Sequence, residues 1–170
     1  MRGINVGGKN SLPMKELVGV LESLGLDNVR TYIQSGNAVF SSKRRPSQKL
    51  HAQISQAISA VKGFEPRVIV LSEHDLEAAI TSNPFPTDDG KALHFFFAAA
   101  VPRRPNLERI ATLAAETEQF ALLGKTFYLF APQGIGRSRL AAAVESALGE
   151  PVTARNYNTV VKLAELIAEA

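Results

Sequence analysis

The stretch VRTYIQSGNAVF, residues 29–40, decides how the rest of the chain is read. Val29, Thr31 and Ile33 alternate with their neighbours, as the residues on one face of a strand do. Gln34-Ser35-Gly36-Asn37 interrupts the pattern and Ala38-Val39-Phe40 resumes it, so the stretch predicts a hairpin with a tight, glycine-containing turn. Helical patterns lie on both sides of it. Two adjacent strands between two helices are not a simple alternation of strand and helix, and this points away from a doubly wound parallel sheet.

Upstream, Ile4 and Val6 alternate with polar or small residues and suggest a short strand ending at Gly7-Gly8. Ser11 is a candidate helix cap, and Pro13 fits a first helical turn. Met14, Leu17, Val18, Leu21 and Leu24 then recur at helical spacing, with Gly25 as a natural stop. Downstream of the hairpin, Pro46-Ser47 opens a helix expected to bury Leu50, Ile54, Ala57, Ile58 and Val61, with Gly63 after it. Val68–Leu71 is an unbroken apolar run and reads as a central strand. The order is β-α-β-β-α-β, the ferredoxin-like split βαβ unit.

Ser72 opens a short linking helix through Ile80, which Asn83-Pro84-Phe85-Pro86 breaks. The pattern then starts again. Leu93–Ala98 predicts a strand, Asn106 to about Ala115 a helix, and Phe120–Leu123 with Thr126–Phe130 a hairpin around Gly124-Lys125. Ser138–Leu148 predicts a helix, Val152–Ala154 a strand, and Tyr157–Ala168 a final helix. The expected fold class is α+β: two ferredoxin-like subdomains with antiparallel sheets, at 1–72 and 91–170, joined by a helix and loop over 73–90, the second carrying the extra C-terminal helix. No residue-level repeat relates the halves, so the duplication is one of architecture.

In such a unit the end of the first strand and the turn of the hairpin lie at the same edge of the sheet. That placement brings Asn5, Gly7, Gly8, Lys9 and Asn10, with Arg2 at the start of the same stretch, beside Gln34, Ser35 and Asn37. Amides, hydroxyls and glycine backbone of this kind suit a polar ligand. The same residue types also serve turns and caps. In the second half, Gly134, Gly136, Arg137 and Ser138 precede a helix, so backbone N–H groups and a positive dipole end could face an anion. The signal is weak, because the lysine spacing of a phosphate-binding loop is absent and Arg139 stands where a dinucleotide fingerprint needs glycine. Arg155 and Asn156 end the last strand, and Asn158 and Lys162 share a face of the final helix. Together they are expected to form a cationic patch open to solvent.

The composition narrows the chemistry. The 170 residues contain no cysteine, which excludes disulfides, thiolate metal sites and cysteine nucleophiles. No apolar run approaches the roughly 20 residues of a membrane span, and no signal peptide is evident, so a soluble cytoplasmic protein without a membrane partner is expected. The net charge is +3, and the basic clusters at Lys43–Arg45, Arg103-Arg104 and Arg137/Arg139 sit beside proline, glycine or serine, as solvated loops do. His51, His74 and His94 are too scattered for a ligand set, no metal site is expected, and no candidate general base stands among the rim residues.

RGINVGGKN, NVRTYIQSGN, NPF and TARNYNTVVKL together resemble the family called domain of unknown function 1697, over essentially the whole chain. The resemblance implies an α+β fold of two ferredoxin-like subdomains and no established activity. Tyr157 stands where the family usually has tryptophan, and relatives usually carry several apolar residues before RGIN, which implies a shortened first strand. Three functions fit these observations: a binding module for a small polar or anionic ligand of phosphate or nucleotide type, a weak nucleic-acid binder, or an enzyme relying on an unidentified cofactor. The first is favoured. A nucleic-acid sheet should expose aromatics, and Phe95, Phe96 and Phe97 must split between faces with at least part of them in the core.

Overall fold

The computed structural model describes residues 1–169. The chain divides into two compact units: Met1–Leu76 with Lys162–Ala170, and Glu77–Val161.

In the first unit, α1 (Met14–Ser23) is followed by β1 (Asp27–Tyr32), β2 (Asn37–Ser41), α2 (Gln48–Lys62) and the start of α3 (Glu73–Thr81). The hairpin forms, but its turn comes one residue earlier than expected: Ile33, expected on the strand, lies in the loop at φ 49°, and Asn37, expected in the turn, begins β2. Tyr32 pairs with Asn37 across a four-residue loop, in which Gly36 has φ 74°. Ser47 caps α2 by accepting the Leu50 N–H at 3.2 Å, and Gly63 closes it in the left-handed conformation. Leu17, Val20 and Leu21 of α1 and Leu50, Ile54 and Ile58 of α2 form the core together with Ile4, Leu12, Leu26 and Val68. Val61, expected inside, is exposed on the last turn of α2. Ser11 does not cap α1. Pro13 holds the cap position, and no side chain completes it.

A second four-stranded sheet does not form. The named strands of the first unit are only β1 and β2, paired antiparallel. The segments expected as its other two strands meet in a single antiparallel bridge, Arg2 with Arg67. The backbone explains this. Gly3, Asn5, Gly7, Gly8 and Asn10 all have positive φ, between 53° and 79°, and a ladder needs extended residues in succession. On the other side, the Val70 N–H is donated to His51 Nε2 at 3.1 Å and not to a strand.

The second unit carries β3 (Leu93–Ala98), α4 (Leu107–Leu113), β4 (Gln119–Leu123), β5 (Thr126–Phe130), α5 (Arg139–Leu148) and β6 (Val152–Asn156). The strands lie in the order β4-β5-β3-β6, and every neighbouring pair is antiparallel. This is the element order expected from sequence. The Asn106 and Ser138 side chains cap α4 and α5. Phe96, Phe127, Leu129 and Val152 face Ile110 of α4 and Leu140, Val144 and Leu148 of α5 in one buried cluster. On the opposite face Phe95 packs edge-on against Tyr128, whose hydroxyl donates to the Ala79 carbonyl of α3 at 2.7 Å. All three consecutive phenylalanines are buried. The last helix, α6 (Tyr157–Ala168), begins in this unit.

Candidate functional site

The opening residues fold into a small hairpin of their own. Val6 and Lys9 pair antiparallel around Gly7-Gly8, and both glycines have positive φ, 57° and 73°, as a two-residue primed turn requires. Asn5 and Asn10 stand at its shoulders in the left-handed region, which asparagine tolerates better than most residues. Their amides hold the shape. Asn10 Nδ2 donates to the Gly3 carbonyl at 2.7 Å. Asn5 Oδ1 accepts the Leu12 N–H at 2.8 Å, while its Nδ2 donates to the carbonyls of Leu12 at 2.9 Å and Gln34 at 2.8 Å.

The last of these bonds joins the two loops, so the convergence read from topology is present. Its content differs from the expectation. Asn37 is buried and donates to Ser35 Oγ at 2.8 Å and to the Tyr32 carbonyl at 3.3 Å within its own turn. Asn5, Asn10 and Asn37 are therefore engaged in shaping the loops. Arg2, Gly7, Gly8, Lys9 and Gln34 are exposed, as are two apolar residues that the sequence assigned to strands, Val6 and Ile33.

In the second unit, the end of β6, the start of β3 and the end of β5 lie at one end of the sheet, as the pairing of His94 with both Asn156 and Leu129 shows. Arg155 lies half-buried against its own strand, donating to the Ala154 carbonyl at 2.6 Å and to Thr153 Oγ1 at 3.1 Å. Burial lowers its pKa from the ordinary arginine value. Asn156 is a helix cap: its Oδ1 accepts the Thr159 N–H at 3.0 Å. The Asn158 amide lies over Gly90, where an added Cβ would come within 2.7 Å of Asn158 Cγ. On the first unit's portion of α6, Lys162 Nζ contacts Glu165 Oε2 at 2.9 Å, and that bond and charge raise its pKa. Arg155, Asn156 and Lys162 are thus already engaged within the chain, while Asn158 is exposed.

The loop at Gly134–Ser138 is different. It borders an open cleft of about 590 Å³ whose walls also include Thr112, Thr117, Glu118 and Arg139. That volume lies in the range of small-molecule sites. Gly134 has φ 80°, and its N–H bonds the Ala131 carbonyl at 2.8 Å, which turns the loop into α5. Ser138 Oγ accepts the Ala141 N–H at 2.9 Å. Arg137 and Arg139 are exposed and form no ion pair among the described residues. Glu118 is held back by the Ala115 N–H, which donates to its Oε2 at 2.9 Å. Among the described residues, no three His, Asp or Glu side chains are grouped to hold a metal ion.

Residues 1–128 match the family model described as a protein of unknown function, DUF1697. The chain belongs to the DUF1697 family. The match takes in both loops of the N-terminal rim and stops before Gly134–Ser138 and before Arg155–Lys162. A solved structure of a conserved bacterial protein from Streptococcus pneumoniae is similar over 98% of this chain and 94% of that one, with 26% identity and a TM-score of 0.65. No curated protein matches this DUF1697 chain. Among the described residues, no helix is long and apolar enough to cross a membrane.

Proposed function

We propose that this protein is a cytoplasmic binding module for a small anionic ligand of phosphate or nucleotide type, and that the ligand enters the cleft at the start of α5. One observation carries the reading: Arg137 and Arg139 line a cleft of about 590 Å³ without an ion pair among the described residues. Two guanidinium groups offer paired N–H donors that match a phosphate or carboxylate. The positive end of the α5 dipole and the polar groups of Thr112 and Thr117 add to the same preference. The sequence ranked this loop below Arg155, Asn158 and Lys162. The ranking reverses here because Arg155 and Lys162, the cations of that patch, spend their charge inside the chain.

The first unit is read in the same proposal as a ferredoxin-like subdomain whose first and fourth strands are reduced to the Arg2–Arg67 bridge. The nucleic-acid alternative finds less support, since Phe95, Phe96, Phe97, Phe127 and Tyr128 are buried and leave no stacking platform on the four-stranded sheet. The test is a titration of orthophosphate and of ATP against wild type, Arg137→Ala/Arg139→Ala, and Arg155→Ala/Lys162→Ala, followed by amide chemical shifts. Shifts at residues 134–141, and binding at least ten-fold weaker in the first variant alone, are expected. Equal binding by wild type and a folded Arg137→Ala/Arg139→Ala protein would remove the site. Loss in the Arg155→Ala/Lys162→Ala variant alone would move it to α6.

A further inference from the structure

The cleft at the start of α5 is lined by charges of both signs. Arg137 and Arg139 border it beside the Gly134 loop, and Glu118 borders it from the turn between α4 and β4. All three belong to the second unit. None of them forms an ion pair among the described residues, so neither guanidinium meets the Glu118 carboxylate. Glu118 is fixed where it stands. Its N–H donates to the Ala115 carbonyl at 2.9 Å, and its Oε2 accepts the Ala115 N–H at 2.9 Å, which closes the turn from both sides. Oε1 has no hydrogen-bond partner among the described residues and retains its capacity to accept.

A cleft that selected for negative charge alone would gain nothing from a carboxylate in its wall, because like charges repel. A ligand that carries donors as well as an anion gains from it. The neutral groups of the wall narrow the donor type. The Thr117 hydroxyl and the Gln133 amide have no hydrogen-bond partner among the described residues, and each can both donate and accept. Hydroxyls satisfy groups of that kind in either direction, whereas an ammonium only donates. Size agrees, since about 590 Å³ suits a whole small molecule and not a lone phosphate group.

We propose that the ligand is a phosphate monoester of a polyol, of ribose-phosphate type. The phosphate lies with Arg137 and Arg139, and hydroxyls of the polyol donate to Glu118, as ribose hydroxyls do to the acidic residue of dinucleotide sites. This rests on the phosphate-binding reading above and adds to it the group at the other end of the ligand. Calorimetric titration with n-butyl phosphate, ribose 5-phosphate and AMP, followed by amide chemical shifts, tests it. Ribose 5-phosphate and AMP should each bind at least ten-fold tighter than n-butyl phosphate, which has the phosphate and no hydroxyl. Both should shift amides at 115–118 as well as 134–141, and n-butyl phosphate only the latter. Glu118→Gln keeps an acceptor for the Ala115 N–H and should reduce the preference for ribose 5-phosphate over n-butyl phosphate at least five-fold. AMP binding tighter than ribose 5-phosphate would assign a nucleotide, and the reverse order a sugar phosphate, and either supports the proposal. Equal affinity for ribose 5-phosphate and n-butyl phosphate in wild type overturns it, as does an unchanged preference in a folded Glu118→Gln protein. In both cases binding that depends on Arg137 and Arg139 would leave the phosphate site standing. Failure of every probe to bind would overturn the two readings together.

Discussion

Replacing Gly36 by alanine should destabilise the first unit by about 2–4 kcal/mol, from two causes that add. The first is local: Gly36 has φ 74°, and a Cβ there costs about 1 kcal/mol. The second is packing. A Cβ at Gly36 would stand 2.6 Å from Ile4 Cδ1 and 3.1 Å from both Ile4 Cγ1 and Met1 Cβ. Ile4 is 2% exposed and enclosed by the core, so it yields only by leaving its rotamer or shifting the opening backbone. Overpacking of that kind costs about 1–3 kcal/mol. At roughly 3 °C per kcal/mol for a chain of this size, Tm should fall by about 6–12 °C. A double-mutant cycle separates the causes. Ile4→Val deletes the Cδ1 atom that meets the new Cβ and by itself costs about 1 kcal/mol. In that background Gly36→Ala should lose about 1–2 kcal/mol less than in wild type. Urea unfolding of the four proteins measures the cycle. A Tm change under about 1 °C for Gly36→Ala, or strict additivity with Ile4→Val, would refute the close approach.

Three further perturbations follow from the same geometry. Asn5→Ala removes three hydrogen bonds and puts alanine at positive φ, so urea unfolding should show a loss of about 2–3 kcal/mol, and a loss below about 0.5 kcal/mol would show that solvent replaces the bonds. His94 has a buried Nδ1 without a hydrogen-bond partner among the described residues, and burial lowers its pKa below the usual value of 6.5. The unfolded chain therefore binds this proton first, so stability conferred by neutral His94 is complete above about pH 6.5 and falls as pH drops toward the folded pKa. The difference in urea midpoint between wild type and His94→Leu should change across that window, and a constant difference from pH 7.5 to 5 would contradict the assignment. Gly90→Ala must displace the Asn158 amide, so its cost of about 1 kcal/mol should shrink in an Asn158→Ala background, as a melting-temperature cycle would reveal.

Sequence by itself determined the elements whose signals are local. The hairpin at residues 29–40 followed from alternation and a glycine turn, α2 from Ser47 and Gly63, and the second unit's element order from the same kinds of punctuation. These motifs are set by residues within a few positions of one another, so a short window contains their physics. Tertiary structure decided the opening stretch. RGINVGGKN reads as a strand when only Ile4 and Val6 are weighed, yet it becomes a hairpin. Its left-handed asparagines are held partly by a carbonyl at Gln34, 29 positions away from Asn5. Val68–Leu71 failed as a strand for the complementary reason: its expected partner could offer one rung, and His51 took the Val70 N–H. The site followed the same division. For the proposed cleft, the sequence reading named Gly134, Gly136, Arg137 and Ser138, whereas Arg139 and the wall at Thr112–Glu118 carried no such signal. Whether a cation is spent or available depends on what folding brings within hydrogen-bonding distance. Arg155 found Thr153 and its own backbone, Lys162 found Glu165, and Arg137 and Arg139 gained no carboxylate among the described residues.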